Sequence, residues 1–190
     1  MPQYTNWQPF YWEGYRQQTR YTYRIEDLSD TQQLFAKFDY SKQKQILKAG
    51  RQGLAVSFNT LSAEQFYALQ SLQWEAQGGK NLYSKQLVIN AITQAQRRNQ
   101  GFVASCSDSQ GRTHAAIFVL TDNQSAYELL SAINPANRDS GASTLVVWEA
   151  MRHISGQHLV WDFEGSMQKS IAQSFAKFGA TQTPYFQIYK

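Results

Sequence analysis

With 190 residues, 42% of them hydrophobic and 17% charged, the chain has globular composition and enough length for one sizeable core. No apolar run approaches the ~20 residues of a membrane-spanning helix, and a net charge of +4 does not by itself indicate nucleic acid. The lone Cys106 excludes an intrachain disulfide, and the start Met1-Pro2-Gln3 lacks the features of a signal peptide, so a cytoplasmic location is expected.

Residues 1–19 are rich in Trp, Tyr, Phe and Gln without a period. They read as a strap over the domain, or as a surface for another protein such as a second copy of the chain. Tyr21 to Ile25 reads as a strand. Asp30 to Phe38 and Ser41 to Ala49 read as short helices, stopped by Gly50 and Gly53. Leu54 to Phe58 is a strand. Ser62-Ala63-Glu64-Gln65 is a capping box that starts a helix to about Ala76. Ser84 caps the next helix, whose Val88, Ala91, Ile92 and Ala95 share one face.

Phe102 to Ser107, His114 to Thr121 and Ala126 to Ile133 are strands joined by short, turn-rich connectors, which predicts an antiparallel meander. Ala115 to Leu120 is continuously apolar, so the middle strand should be buried on both faces. A helix from Thr144 to Ile154 and a strand from Leu159 to Phe163 follow. Next come an amphipathic helix with Met167, Ile171, Phe175 and Phe178, and a last strand from Tyr185 to Tyr189. This order predicts an α/β (α+β) mixed sheet with helices on both faces. Leu159 to Phe163 should lie parallel to the strand before the crossover helix. Two segments are expected: residues 1–53, with the aromatic strap and short helices, and residues 54–190, a complete domain.

Asn134 to Ser143 opens the crossover helix at the carboxyl end of a strand, where open sheets bind ligands. The first amides of a helix lack intrahelical partners, and its dipole favours negative charge there. Gly141 and Ala142 would admit a phosphate to the backbone, and Arg138 would add a bidentate contact. Ser140 and Ser143 either belong to that site or simply cap the helix. A valine at Gly141 is expected to abolish phosphate binding and leave the fold intact. Lys44, Lys48 and Arg51 stand at i, i+4 and i+7 of a helix, as a solvated face or a phosphate-binding one. His114, His153 and His158 show no metal-ligand spacing, Glu149 and His153 read as a surface helix pair, and no metal is expected.

The element order resembles the GNAT N-acyltransferase fold. In that family the loop after the fourth strand carries Arg/Gln-x-x-Gly-x-Gly/Ala and binds the pyrophosphate of acetyl-CoA. The matching stretch is Arg138-Asp139-Ser140-Gly141-Ala142-Ser143, with Ser143 where the family has Gly or Ala. The chain also resembles the FemAB-like branch, acyltransferases built from paired GNAT domains. One stretch is Arg20-Tyr21-Thr22-Tyr23, after Gly14-Tyr15-Arg16-Gln17-Gln18. Another is Ile46-Leu47-Lys48-Ala49. The third is Trp161-Asp162-Phe163-Glu164-Gly165-Ser166, with Phe178-Gly179-Ala180 and Pro184-Tyr185-Phe186. Paired FemAB proteins are much longer, so this chain would hold one GNAT-like unit: either the partner half was cut away, with residues 1–53 as its remnant, or the protein uses a single domain.

The resemblance implies an N-acyltransferase that moves an acetyl, other acyl or aminoacyl group to a small-molecule or peptide amine. Acyl-CoA or aminoacyl-tRNA would be the co-substrate, with no tightly bound cofactor. The alternative is a non-catalytic binding module of the same fold. Acyl transfer needs a deprotonated amine, a polarised carbonyl and an acid for the leaving group. Asp162 and Glu164 alternate along a strand and point to one side, as a general base or as a grip on a cationic substrate. Asp162 would otherwise cap the next helix or pair with Arg or Lys. Tyr127 and Tyr185 are candidate acids or half-buried packing residues. If the donor is aminoacyl-tRNA, Lys44, Lys48 and Arg51 are the expected phosphate contacts, on an element separate from Arg138.

Overall fold

The aromatic N-terminal segment leads straight into the sheet. The computed structural model describes residues 6–190, so the strap expected at residues 1–5 lies outside the described residues. Gln8–Trp12 forms a short helix, α1, and Arg16–Ile25 forms strand β1. This strand begins five residues earlier than its apolar half, Tyr21 to Ile25, announces. Arg16 to Arg20 are polar on both faces and show no alternation, but their backbone pairs with the last strand all the way from Arg16↔Tyr189 to Arg24↔Thr181. Order in residues 16–20 therefore comes from the chain's own sheet.

Next in the chain are α2 (Thr31–Lys37), α3 (Tyr40–Arg51), β2 (Ala55–Phe58), α4 (Ala63–Ala76) and α5 (Lys85–Arg97). The meander is β3 (Gly101–Ser107), β4 (Thr113–Thr121) and β5 (Ser125–Ile133). A 3-10 turn (Pro135–Ser140) leads into α6 (Ala142–Ile154), then β6 (Val160–Gly165), α7 (Lys169–Ala176) and β7 (Thr181–Tyr189). The capping box of Ser62 and Gln65 is formed as expected. Strand β7 starts four residues before its predicted start and carries Pro184, tolerated because β7 is an edge strand.

Among the described residues seven strands form one sheet, in the order β2-β3-β4-β5-β6-β1-β7. The β5–β6 pair is parallel, as the crossover helix requires, and the other pairs are antiparallel. Strand β4 is buried on both faces. Ala115 and Ile117 join a core with α3 and α6, whereas Ala116 and Phe118 join one with α4 and α5. Leu34, Phe38, Ile46 and Ala49, from α2 and α3, share the first core with Trp148 and Trp161, so residue 53 marks no break between cores.

The sheet is split beyond its middle. In the β4–β5 ladder Phe118 opposes Leu130 and Val119 opposes Glu128, so Leu129 is an extra residue on β5. Such a bulge bends its strand and increases the twist. Pairing of β5 with β6 runs from Ser125↔Val160 to Tyr127↔Asp162 and goes no further. The strands separate towards their carboxyl ends, where α6 begins.

Gly141 stands at the start of α6 with φ 83°, and a Cβ there would lie 2.5 Å from the Gln45 carbonyl oxygen of α3. The glycine is required by helix packing. This corrects the expectation that a side chain at Gly141 leaves the fold intact. Gly141→Ala should cost about 2–5 kcal/mol, combining left-handed strain with the backbone clash. Gly111→Ala, at φ 76° in open space, should cost only about 1–2 kcal/mol. Urea unfolding of the two variants checks the difference.

Candidate functional site

Two cavities open on either side of the β5–β6 split. On the side of α6 and α7, a cavity of about 520 Å³ is bordered by β5 from Glu128 onward, by Ser143 and Thr144 of α6, and by Phe163 to Ser166. Alternation along β5, β1 and β6 sends Ala126, Tyr23 and Trp161 into the core on this side, and Tyr127, Thr22 and Asp162 to the other. There a groove of about 710 Å³ has Thr22, Tyr127 and Asp162 as its floor and Phe10, Tyr15, Tyr185 and Ile188 as its walls. Glu164 and Gly165 line both spaces.

Glu164 is held in place by Asp162. Asp162 Oδ1 accepts the Glu164 amide at 2.8 Å and the Thr22 hydroxyl, which also reaches the Glu164 carbonyl. Asp162 Oδ2 lies 3.9 Å from Arg24 Nε, and Arg24 is shared with Glu26 at 3.5 Å. Asp162 thus pairs with an arginine and braces its neighbour, whereas Gln168 stands at the cap of α7. Glu164 has φ 58°, a left-handed conformation that costs a non-glycine residue about 1–3 kcal/mol. Burial, and then the Asp162 charge, raises its carboxyl above the ordinary range. At Gly165 a Cβ would stand 2.5 Å from the Tyr21 carbonyl oxygen, so only glycine fits where the two cavities meet.

Tyr127 donates its hydroxyl to Asp122 at 3.0 Å, and burial raises its phenol pKa. Tyr185 lines the same groove. From the N-terminal segment Phe10 and Tyr15 form groove wall, while Tyr11 and Trp12 remain exposed.

The expected phosphate residues divide in two. Arg138 is exposed at the mouth of the 520 Å³ cavity, with Ser143 just inside. Ser140 lines an adjoining surface hollow, where its Oγ accepts the Ala142 amide at 3.3 Å. Gly141 and Ala142 are buried. Lys48 Nζ donates to the Asp139 carbonyl at 2.6 Å, which brings α3 against this loop. Lys48 and Arg138 line one hollow, so the expected separation of the α3 cations from Arg138 does not hold for Lys48. Lys44 and Arg51 are exposed and lie outside both cavities.

Glu128 belongs to none of the motifs named above. It lies on β5 at the bulge and points into the α6 side, where its Oε2 is fully shielded and has no hydrogen-bond partner among the described residues. An acid in the otherwise apolar run from Ala126 to Leu130 was the available signal. Elsewhere His153 stacks on Phe58 at 4.0 Å, Glu149 bonds Arg152, and His114 sits 3.2 Å from Asp108. No cluster of three potential metal ligands occurs among the described residues. Burial pushes the Cys106 thiol up to about 12, which suits an inert core residue.

The family model of the acetyltransferase (GNAT) domain matches residues 36–163. No curated protein is matched. Solved structures of similar fold include FemX, with TM-score 0.72 and 12% identity over 90% of this chain and 62% of that one. L-PGS from Bacillus licheniformis has TM-score 0.62 and 9% identity over 97% of this chain and 64% of that one. A tandem GNAT protein from the clavulanic acid biosynthesis pathway has TM-score 0.55 and 8% identity over 97% and 58%. At these identities the likeness is one of fold, and this chain spans less than two thirds of each neighbour's length. FemX as a fold neighbour agrees with the FemAB-like resemblance. The matched residues run from α2 to β6 and contain both strands of the split and the loop between them; the chain belongs to the GNAT acetyltransferase domain family.

Proposed function

We propose that the chain is an N-acyltransferase that takes its acyl group from an acyl-CoA thioester. The donor occupies the cavity on the α6 side, with its phosphates towards Arg138 and Lys48, and an amine acceptor lies in the opposite groove. The observation that carries this reading is the position of Glu164, on the border of both spaces. A carboxylate there meets the acceptor nitrogen where it meets the donor carbonyl. Glu164 takes the proton as nitrogen attacks and the new C–N bond forms; the C–S bond then breaks, and the thiolate takes that proton from Glu164 and leaves as the thiol. Asp162 and Thr22 position Glu164, and Tyr127, with its proton directed at Asp122, serves as groove floor. Beyond Tyr127 no residue of β6 pairs with β5, so β5 offers the donor a strand edge. Acyl-CoA is a cytoplasmic metabolite, which supports a cytoplasmic location. Among the described residues no helix is long and apolar enough to cross a membrane.

Acetyl-CoA at one hundred times its dissociation constant should stabilise the protein by ~2.7 kcal/mol in thermal unfolding. Loss of a charged hydrogen bond costs ~1.5–3 kcal/mol, so Arg138→Gln should weaken binding at least about tenfold. Lys48→Gln should weaken it in the same direction, because the two cations share one hollow. Calorimetry in which both variants match the wild type removes the loop from the donor site.

A raised carboxyl pKa means that Glu164 is protonated and inactive at low pH. The rate with an amine acceptor should therefore climb with pH through a group above the ordinary carboxylate range. Glu164→Gln should abolish that limb and lower kcat/KM by roughly 10²–10⁴. An unchanged pH–rate profile would assign the base elsewhere.

Thr22→Val removes the hydroxyl that bridges Asp162 and the Glu164 carbonyl, and leaves both short of a partner. Chemical denaturation should show a loss of about 1–3 kcal/mol. A variant as stable as the wild type would show that the bridge carries no strain-holding role.

A further inference from the structure

Two charged groups inside the donor cavity are not used by the transfer just described. They are Lys42 of α3 and Glu128 of β5. Lys42 is only 9% exposed. Its Nζ donates to Ser174 Oγ at 2.9 Å and stands 4.3 Å from the centroid of the Phe178 ring, and neither partner is charged. Glu128 Oε2 is shielded and unpartnered among the described residues. An unpaired buried oxygen destabilises the fold. Burial lowers the Lys42 ammonium to about 8, opposed by Glu128, while Lys177 adds to the lowering and Asp39 opposes it. Burial raises Glu128 to about 8, opposed by Lys42. A buried lysine that gives up its proton within reach of a bound donor is a nucleophile; an ordinary exposed lysine, near 10.4, stays protonated.

We infer that Lys42 is a self-acylation site, modified by the same acyl thioester that the donor cavity binds; this rests on the donor reading above. The Nζ proton passes towards Glu128 on the wall of the same cavity, and the neutral amine attacks the thioester carbonyl. The N–C bond of an amide forms and the C–S bond breaks. The thiolate receives the proton from Glu128 and leaves as the thiol, so no oxidant or reductant is needed. The amide is no longer activated, and the acyl group stays. It then occupies part of a cavity of about 520 Å³ and removes the one lysine charge there. Lys44, exposed on the same helix, lies outside the cavity and serves as an internal control.

The test is incubation of the full chain with acetyl-CoA at about pH 8, followed by peptide mapping of acetylated lysines. Acetyl-CoA binding and thiol release with amine acceptors are measured alongside. One acetyl group should appear on Lys42, with a rate that saturates in acetyl-CoA at the binding constant. Lys44 should lag behind. Glu128→Gln should slow Lys42 labelling about a hundredfold while acetyl-CoA still binds. The wild-type map decides the matter even if that variant unfolds. Binding or turnover with Lys42 unmodified overturns this inference alone. Labelling of exposed lysines in simple proportion to reagent also overturns it. Absence of acetyl-CoA binding overturns the donor reading and the self-acylation together.

Discussion

The unpaired residue Leu129 in β5 governs the arrangement of the site. A continuous parallel ladder between β5 and β6 would seal the sheet, and no group could touch ligands on both of its faces. The bulge turns β5 away after Tyr127, and β6 follows β1 instead. A parted sheet exposes backbone groups that need partners. Helix α4 supplies some of them: Gln73 Oε1 accepts the Ile133 amide at 2.8 Å, and Gln70 Nε2 reaches the Ser131 carbonyl at 3.4 Å. Asn81 in turn holds Gln70 at 3.0 Å. The split is thus bounded at its wide end by glutamines and at its narrow end by the three parallel pairs.

Around that split, similar side chains acquire different properties from their surroundings. Asp162 and Glu164 are two residues apart on one strand. Asp162 is engaged by a hydroxyl, an amide and a nearby guanidinium. Glu164 is buried beside that negative charge, and its carboxyl titrates higher. Two acids on one strand thus stand in different environments, one held by several partners and the other buried beside it.

Much of this architecture is legible in the sequence, because the hydrophobic pattern follows the geometry closely. The continuous apolar run in β4, the short connectors of the meander and the capping box at Ser62 each point to one structure, and the parallel crossover follows from handedness. The pairing of Asp162 with Glu164 is also readable from a period of two. Other features depend on partners far along the chain. Arg16 to Arg20 look like a polar loop until β7 lies beside them. Gly141 looks like a phosphate-loop glycine, yet its constraint is the α3 backbone crossing it, which no local pattern encodes. Glu128 reads as an acid misplaced in an apolar strand, and only the bulge explains its place.

Strand β1 is inserted between β6 and β7, and its Thr22 meets Asp162 across 140 residues of sequence. Its position inside the sheet, one strand from the edge, makes the order of assembly unusual. The meander and its helices close over short sequence distances, whereas β1 must wait for strands that are synthesised long after it. Long-range pairing of this kind is slow, because loop entropy is lost before contacts compensate. Until β6 and β7 arrive, β1 offers two bare edges and the β6 side of the split is missing. Ligand-binding ability should therefore emerge last in folding, in a single step, as the C-terminal strands clasp the waiting one. Chaperone capture during synthesis should centre on this strand.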